Sequence, residues 1–158
     1  MLGEVDCGFV IWVRSIRYNI NVDVQINQSI NNLFKFVQNE IISKGKYKNN
    51  DIIITGSILP TIRDNADKKM LGGARSEVTA NQKLRTEKTL EYNNIVRNKC
   101  IENNYKYIDI TDDIIDEQNM IVKSEFLNKN PTDHHLDNEK TYYLWIRKLD
   151  EIFYTINE

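Results

Sequence analysis

A basic excess is missing from this chain. Lysine and arginine total 21 against 23 aspartates and glutamates, the formal net charge is −2 and the sequence pI is about 5.8. A nucleic-acid binder shows a basic excess or stripe, so no nucleic-acid partner is expected. Long apolar runs are missing too. None approaches the roughly 18–20 residues that cross a bilayer, and no membrane association is expected. Met1–Glu4 runs at once into mixed polar sequence, which does not read as a signal peptide. Cysteine is scarce. Cys7 and Cys100 are too few and too far apart for a disulfide framework, and two reduced, buried thiols in a cytoplasmic protein are the expected state. No repeat, no Pro/Gly/Ser linker and no block of one charge sign divides the chain. What is present, 41% hydrophobic and 28% charged residues in 158 positions, reads as one soluble domain over residues 1–158.

Along the chain the segments alternate in type. Val5–Val13 is apolar and β-branched, consistent with a buried strand or its exit. Tyr18–Ile26 alternates, with Ile20, Val22, Val24 and Ile26 on one side, and reads as a half-exposed strand or a loop with strand tendency. Ile30, Leu33, Phe34, Val37 and Ile41 recur at helical spacing behind Ser29 as N-cap. Asp51–Thr55 is a short apolar run of the kind buried on both faces of a parallel sheet. Ile62–Ala80 is polar, carries Gly72-Gly73 and reads as a long loop, a length uncommon unless functional. A helix is expected from about Lys83 to Asn103, a strand over Tyr105–Ile110 and an irregular stretch over Ile114–Phe126. The last helix is expected from about Asn138 to Ile156, with Tyr142, Ile146, Leu149, Phe153 and Ile156 as its core stripe. This order predicts a three-layer α/β/α sandwich with a parallel sheet, whose ligands bind at the carboxyl ends of the strands.

Residues 130–136, Asn-Pro-Thr-Asp-His-His-Leu, hold both histidines directly after an acid. An acid two residues before a histidine, on a loop entering a helix, can orient and polarise the imidazole as a general base. Asp133 and His135 are the candidate pair. The plainer alternative is a surface turn with an Asp cap and two solvated histidines. Consecutive side chains of an extended loop diverge, so His134 is expected to face elsewhere. A metal site here would need further ligands from distant acids, and with no other histidine and no Cys-x-x-Cys none is expected. In Gly3-Glu4-Val5-Asp6-Cys7, Glu4 and Asp6 share a face of an extended chain, as part of a site or of a solvated terminus. Thr55-Gly56-Ser57-Ile58 puts a hydroxyl at a strand tip, either near a site or in a structural turn. Arg85, Tyr92 and Asn93 lie on the middle helix. Arg85 can bind an anion bidentately, although docking of the helix and its loops is the simpler role.

Together these pieces resemble the C-terminal two thirds of the SGNH, or GDSL-like, hydrolase superfamily. They are most similar to a group of bacterial and viral proteins associated with surface-polysaccharide modification. That group carries Gly-Glu-(Ile/Val)-Asp-Cys-Arg after a central strand, where this chain has Gly3-Glu4-Val5-Asp6-Cys7 followed by Gly8. Its later motifs look like Ile52–Pro60, then Arg85 with Leu90-Glu91-Tyr92-Asn93, then Tyr107-Ile108-Asp109, and finally Asp133-His134-His135-Leu136. The nucleophilic serine of the superfamily sits upstream, in a Gly-Asp-Ser block that this sequence does not contain. The resemblance therefore implies a domain incomplete at its N-terminus, a natural remnant without its nucleophile, or Ser57 in that role, the first fitting best.

The implied function is hydrolysis or transfer of an O-acyl group on a carbohydrate or surface glycan, with no cofactor. The implied partners are an acylated carbohydrate or small ester, and a partner chain or the absent N-terminal segment. The catalytic residues would be Asp133 and His135. Gly3, Glu4, Asp6 and Ser57 would contact substrate. Two other readings stay open: a non-catalytic module that binds a glycan or a partner chain, and a metal-dependent phosphoesterase, whose family signature also contains Asp-His-His.

Overall fold

A computed structural model of the chain describes residues 6–154. One wide π-type turn, Asp6–Val10, leads into α1 (Ile11–Tyr18), and α2 (Val22–Phe36) continues into a second wide turn, Val37–Ile41. β1 (Ile53–Thr55) is followed by a single turn at Lys68–Met70, the short α3 (Ala74–Glu77) and the long α4 (Gln82–Asn103). β2 (Lys106–Ile108), α5 (Thr111–Ile114), β3 (Ile115–Asp116) and β4 (Ile121–Val122) come next, and α6 (Asn138–Tyr154) closes the described chain.

The expected three-layer sandwich is not what forms. Among the described residues the strands make two separate two-stranded sheets: β1 pairs with β2 in parallel, Ile54 opposite Tyr107, and β3 pairs with β4 antiparallel. The crossover from β1 to β2 carries α4, so one strand–helix–strand unit survives from the expected architecture. The rest is helical. Even β1 is covered on one side only, with Ile54 buried and Thr55 exposed.

The N-terminal difference has a local cause. A continuous apolar run does not distinguish a buried strand from a buried helix. In Val5–Val13 the described residues are helical, and Cys7, Phe9, Ile11, Trp12 and Val13 are buried together. The Trp12 indole N–H donates to the Cys7 carbonyl at 2.7 Å, which ties the wide turn to α1. In Tyr18–Ile26 the alternation is split by two asparagines. Asn19, at φ 50°, ends α1 in the left-handed region. Asn21 caps α2, its side chain accepting from the N–H groups of Asp23 and Val24 at 2.7 and 3.3 Å. The cap therefore lies eight residues before Ser29, and Val24 and Ile26 fall on opposite sides of the helix, exposed and buried.

Elsewhere α4 begins one residue before its expected start. Asn81 caps it by accepting from the Leu84 N–H at 2.8 Å, and Asn104 ends it at φ 57°. Residues 62–80 are not a free loop, because Ile62, Leu71 and Val78 are buried in the main core. The expected α6 stripe is rotated. Thr141 and Leu144 are the buried residues, while Tyr142, Ile146 and Phe153 are exposed, and Ile156 lies outside the described residues. Leu144 packs into the smaller apolar cluster and sets that face, while Arg147 pairs with Asp113 at 2.6 Å on the solvent side.

Two apolar clusters result. The larger joins α1, α2 and α4 through Trp12, Ile26, Ile30, Phe34, Val96 and Cys100. The smaller joins Ile58, Leu59, Ile110, Ile114, Val122, Phe126, Leu136 and Leu144. The segment leaving β1 belongs to both, with Ile54 and Ile62 in one and Ile58 and Leu59 in the other. It thereby carries residues 61–64 to the loop that holds the histidines.

Candidate active site

The loop that carries the histidines is closed by a bridge between Leu127 and Leu136. Leu136 is buried in the smaller cluster, so one end of the loop is anchored. Between these ends the loop is held by its own short polar side chains. Asn128 accepts from the Asn130 N–H at 2.9 Å, Asn130 from the Thr132 N–H at 3.0 Å, and Asp133 from the His135 N–H at 2.9 Å. Asp137 then accepts from the Glu139 N–H at 2.9 Å and starts α6. Each is an Asx turn, in which a carboxylate or amide oxygen replaces a backbone acceptor. Thr61 Oγ1 donates to the Asp133 carbonyl at 3.3 Å and ties the loop to the segment leaving β1.

The Asp133 carboxylate engages His135 twice. Besides the backbone contact, Oδ1 lies 2.7 Å from His135 Nδ1. An ionised carboxylate only accepts, so the contact holds the imidazole proton on Nδ1 and leaves Nε2 as the basic nitrogen. The His135 side chain is 55% exposed and its partner 31%. The carboxyl of Asp133 is held below its usual range, first by the His135 backbone N–H and then by the His135 ring.

His134 does not face away. Its ring centroid lies 3.9 Å from that of His135, tilted by 40°. The Asx turn at Asp133 folds the backbone back, so the divergence expected of an extended loop is lost. His134 also meets Phe9 edge-on at 5.7 Å, and Arg75 Nη1 lies 3.3 Å from its Nδ1. A guanidinium only donates, so His134 accepts at Nδ1 and carries its proton on Nε2. Burial lowers its pKa, and the neighbouring His135 and Arg75 lower it further.

That depression has a signed consequence. Above the ordinary value of 6.5 His134 is neutral folded and unfolded alike. Below it the unfolded chain takes up a proton that the folded chain resists, so stability falls with pH. Asp133 adds a second loss of the same sign below its ordinary 3.8. The thermal midpoint is expected to hold at neutral pH, to fall below pH 6.5, and to fall less steeply there in His134→Gln. Parallel curves for the two proteins would remove His134 as the cause.

The other residues expected at the site are placed differently. Ser57 is 2% exposed. Its N–H donates to Asn93 Oδ1 at 2.7 Å, its carbonyl accepts from Asn93 Nδ2 at 2.9 Å, and its hydroxyl contacts the Ile58 carbonyl at 3.4 Å. That is the geometry of a structural turn clamped by α4. Gly3 and Glu4 lie outside the described residues, as does the side chain of Asp6. Arg85 is buried with one guanidinium nitrogen on the Ile62 carbonyl at 2.8 Å.

A cleft of about 300 Å³, whose lining includes Thr61, Arg63, Met70, Asn128, Asn130 and Asp133, reaches the dyad at Asp133, while His135 is not part of its wall. Asp133, His134 and His135 each offer a ligand atom, and these three atoms lie within 4.8 Å of one another. Sequence reasoning had missed Thr61, Arg63 and Arg75. Their only signal was the unusual length of the loop that carries Arg63 and Arg75. No helix among the described residues is long and apolar enough to cross a membrane. No family model, curated protein or solved structure matches the chain.

Proposed function

We propose that Asp133 and His135 form the acid–base element of an ester hydrolase or acyl-transfer site acting on an O-acylated carbohydrate. The observation that carries this reading is the 2.7 Å contact between Asp133 Oδ1 and the Nδ1 of a half-exposed His135. The contact leaves Nε2 to take a proton from a hydroxyl or a water. The adjoining cleft suits such a substrate. Asn128, Asn130 and Thr61 offer donors and acceptors for sugar hydroxyls, and Met70 offers an apolar wall for an acyl chain. The carbohydrate itself rests on the resemblance of the motif order to that of the polysaccharide-modifying group. Ser57 is enclosed and is not taken as the nucleophile, which this reading draws from a partner chain or an N-terminal segment.

A base without its nucleophile is a slow catalyst. General acid–base catalysis contributes about 10²–10⁴-fold, several powers of ten short of a complete triad. The purified chain is expected to turn over a chromogenic acetyl ester or an acetylated sugar slowly, and His135→Ala to lower that rate about 100-fold. A rate indifferent to His135 would overturn the reading. Fast turnover abolished by Ser57→Ala would place the nucleophile in the clamped turn instead.

A second reading, a metal-dependent phosphoesterase, draws on the grouping of Asp133, His134 and His135 within 4.8 Å. Zinc and manganese both accept such ligands. The Arg75 guanidinium at 3.3 Å from His134 Nδ1 opposes it, since a bound cation would have to displace another. Metal analysis of the purified protein, followed by zinc and manganese titration of the Asp133→Asn variant, separates the two readings.

A further inference from the structure

Residues 62–81 fold against the start of α4 around a polar cavity of about 190 Å³. At about 30 Å³ per water it has room for roughly six waters, or for one tetrahedral oxyanion. Four lining side chains are cationic, Arg63, Lys68, Arg75 and Arg85, and a single one, Asp64, is acidic. The cations are bound mainly to neutral acceptors. Arg63 donates to the Val122 carbonyl at 2.9 Å, Lys68 to the Val78 carbonyl at 3.2 Å, and Arg85 to the Ile62 carbonyl at 2.8 Å. Arg75 donates to the Gly72 and Thr132 carbonyls, each at 3.4 Å, and to His134.

Arg85 is the informative member. It is 4% exposed, yet its Nε has no hydrogen-bond partner. Its nearest carboxylate oxygen, Asp64 Oδ1, is 3.6 Å away, on a side chain 57% exposed that also accepts from the Gln82 N–H at 2.6 Å. A buried guanidinium with so little counter-charge is costly, and burial lowers the pKa of Arg85. Asn81, the N-cap of α4, lines the same cavity, so the positive end of that helix faces it as well.

We propose that this cavity is a binding site for a compact oxyanion of the phosphate or sulfate class, with Arg85 as its buried anchor and Lys68 and Arg75 completing it. The oxyanion supplies the counter-charge that Asp64 alone does not. The site adjoins the dyad through Arg75, which reaches His134, the neighbour of both dyad residues, and through Arg63, which lines both this cavity and the cleft at Asp133. The preferred ester substrate is then an anionic one, a phosphorylated or sulfated carbohydrate. That extension, unlike the anion site, rests on the proposed function.

The test is titration of the full 158-residue chain with inorganic phosphate at constant ionic strength, with chloride as control. Saturable binding is expected. Lys68→Gln and Arg75→Gln should each weaken it about tenfold, the worth of one charge-assisted hydrogen bond. Asp64→Asn should tighten it by removing the one competing carboxylate. Arg85→Gln should abolish it, and because that change can also disturb folding, the exposed Lys68 carries the decision. No binding beyond the chloride control, or binding by Lys68→Gln and Arg75→Gln as tight as the parent's, overturns the site. The second arm compares an acetylated sugar phosphate with the neutral acetylated sugar. A lower KM for the charged ester, raised by Lys68→Gln for that ester alone, supports the substrate class. Equal KM values with phosphate binding intact overturn the substrate class and leave the anion site. No turnover of either ester counts against the dyad reading, again separately from phosphate binding.

Discussion

Gly56→Ala is expected to destabilise the protein by about 3 kcal/mol, within the range of overpacking plus a broken charged hydrogen bond. Gly56 sits at the end of β1, its N–H donating to the Ile108 carbonyl at 2.8 Å. A Cβ there would overlap Tyr107 Oη, reach Asp109 Cβ at 2.8 Å and reach Asn93 Nδ2 at 3.2 Å. None of these neighbours is free to move. Tyr107 donates to Asp109 Oδ2 at 2.6 Å, Arg97 donates to the same oxygen at 3.1 Å, and Asn93 clamps both sides of Ser57. The effect would show in urea unfolding as a lower midpoint with an unchanged slope. Gly8→Ala is the control. Nothing lies within 4 Å of its added Cβ, and it sits in a helical turn, so it should be neutral or stabilising by up to about 1 kcal/mol. A Gly56→Ala midpoint equal to that of the parent would show that this strand end is looser than its contacts imply.

Asp133→Asn is expected to lower ester turnover about 100-fold while leaving the fold intact. The asparagine Oδ1 still accepts from the His135 N–H, so the turn survives, as the neighbouring turns at Asn128 and Asn130 demonstrate. The negative charge is lost. The amide can also turn its NH₂ toward His135 Nδ1, which moves the ring proton to Nε2 and removes the basic nitrogen. Circular dichroism and the thermal midpoint should therefore match the parent while the rate falls. Asp133→Ala loses the turn as well and should lower both. Full turnover in Asp133→Asn would mean that Asp133 only shapes the loop.

Some of this was legible without coordinates. β1 and β2 were readable because short apolar runs flanked by polar turns mark them. α4 was readable because Leu90, Val96 and Cys100 recur on one side of a long segment, and Val96 and Cys100 are indeed buried. The contact between Asp133 and His135 was readable because it is local: two residues of separation with an Asx-forming acid leave few geometries. The N-terminal run was not readable, since contiguous apolar residues suit a helix packed against two others as well as a strand. The face of α6 was not either. That helix has two apolar stripes, and burial of Leu144 with the distant Ile58, Ile110 and Val122 selects one.

The sequence by itself showed the acid beside its histidine. The caps at Asn21 and Asn81 and the turns from Asn128 to Asp137 are local too, but Asn21 lies inside an alternating run that reads as a strand, with Ser29 as the expected cap. Tertiary structure decided whatever depends on distant partners. It made the body mainly helical, because burial of Phe9, Trp12 and Val13 against α2 and α4 fixed the conformation of a run that periodicity left ambiguous. It enclosed Ser57 by placing Asn93, 36 residues away, against both its backbone groups. It also gathered Arg63, Lys68, Arg75 and Arg85 around one cavity and joined that cavity to His134. Charges spread along 23 residues carry no mutual signal until the chain folds them within reach of a single ion.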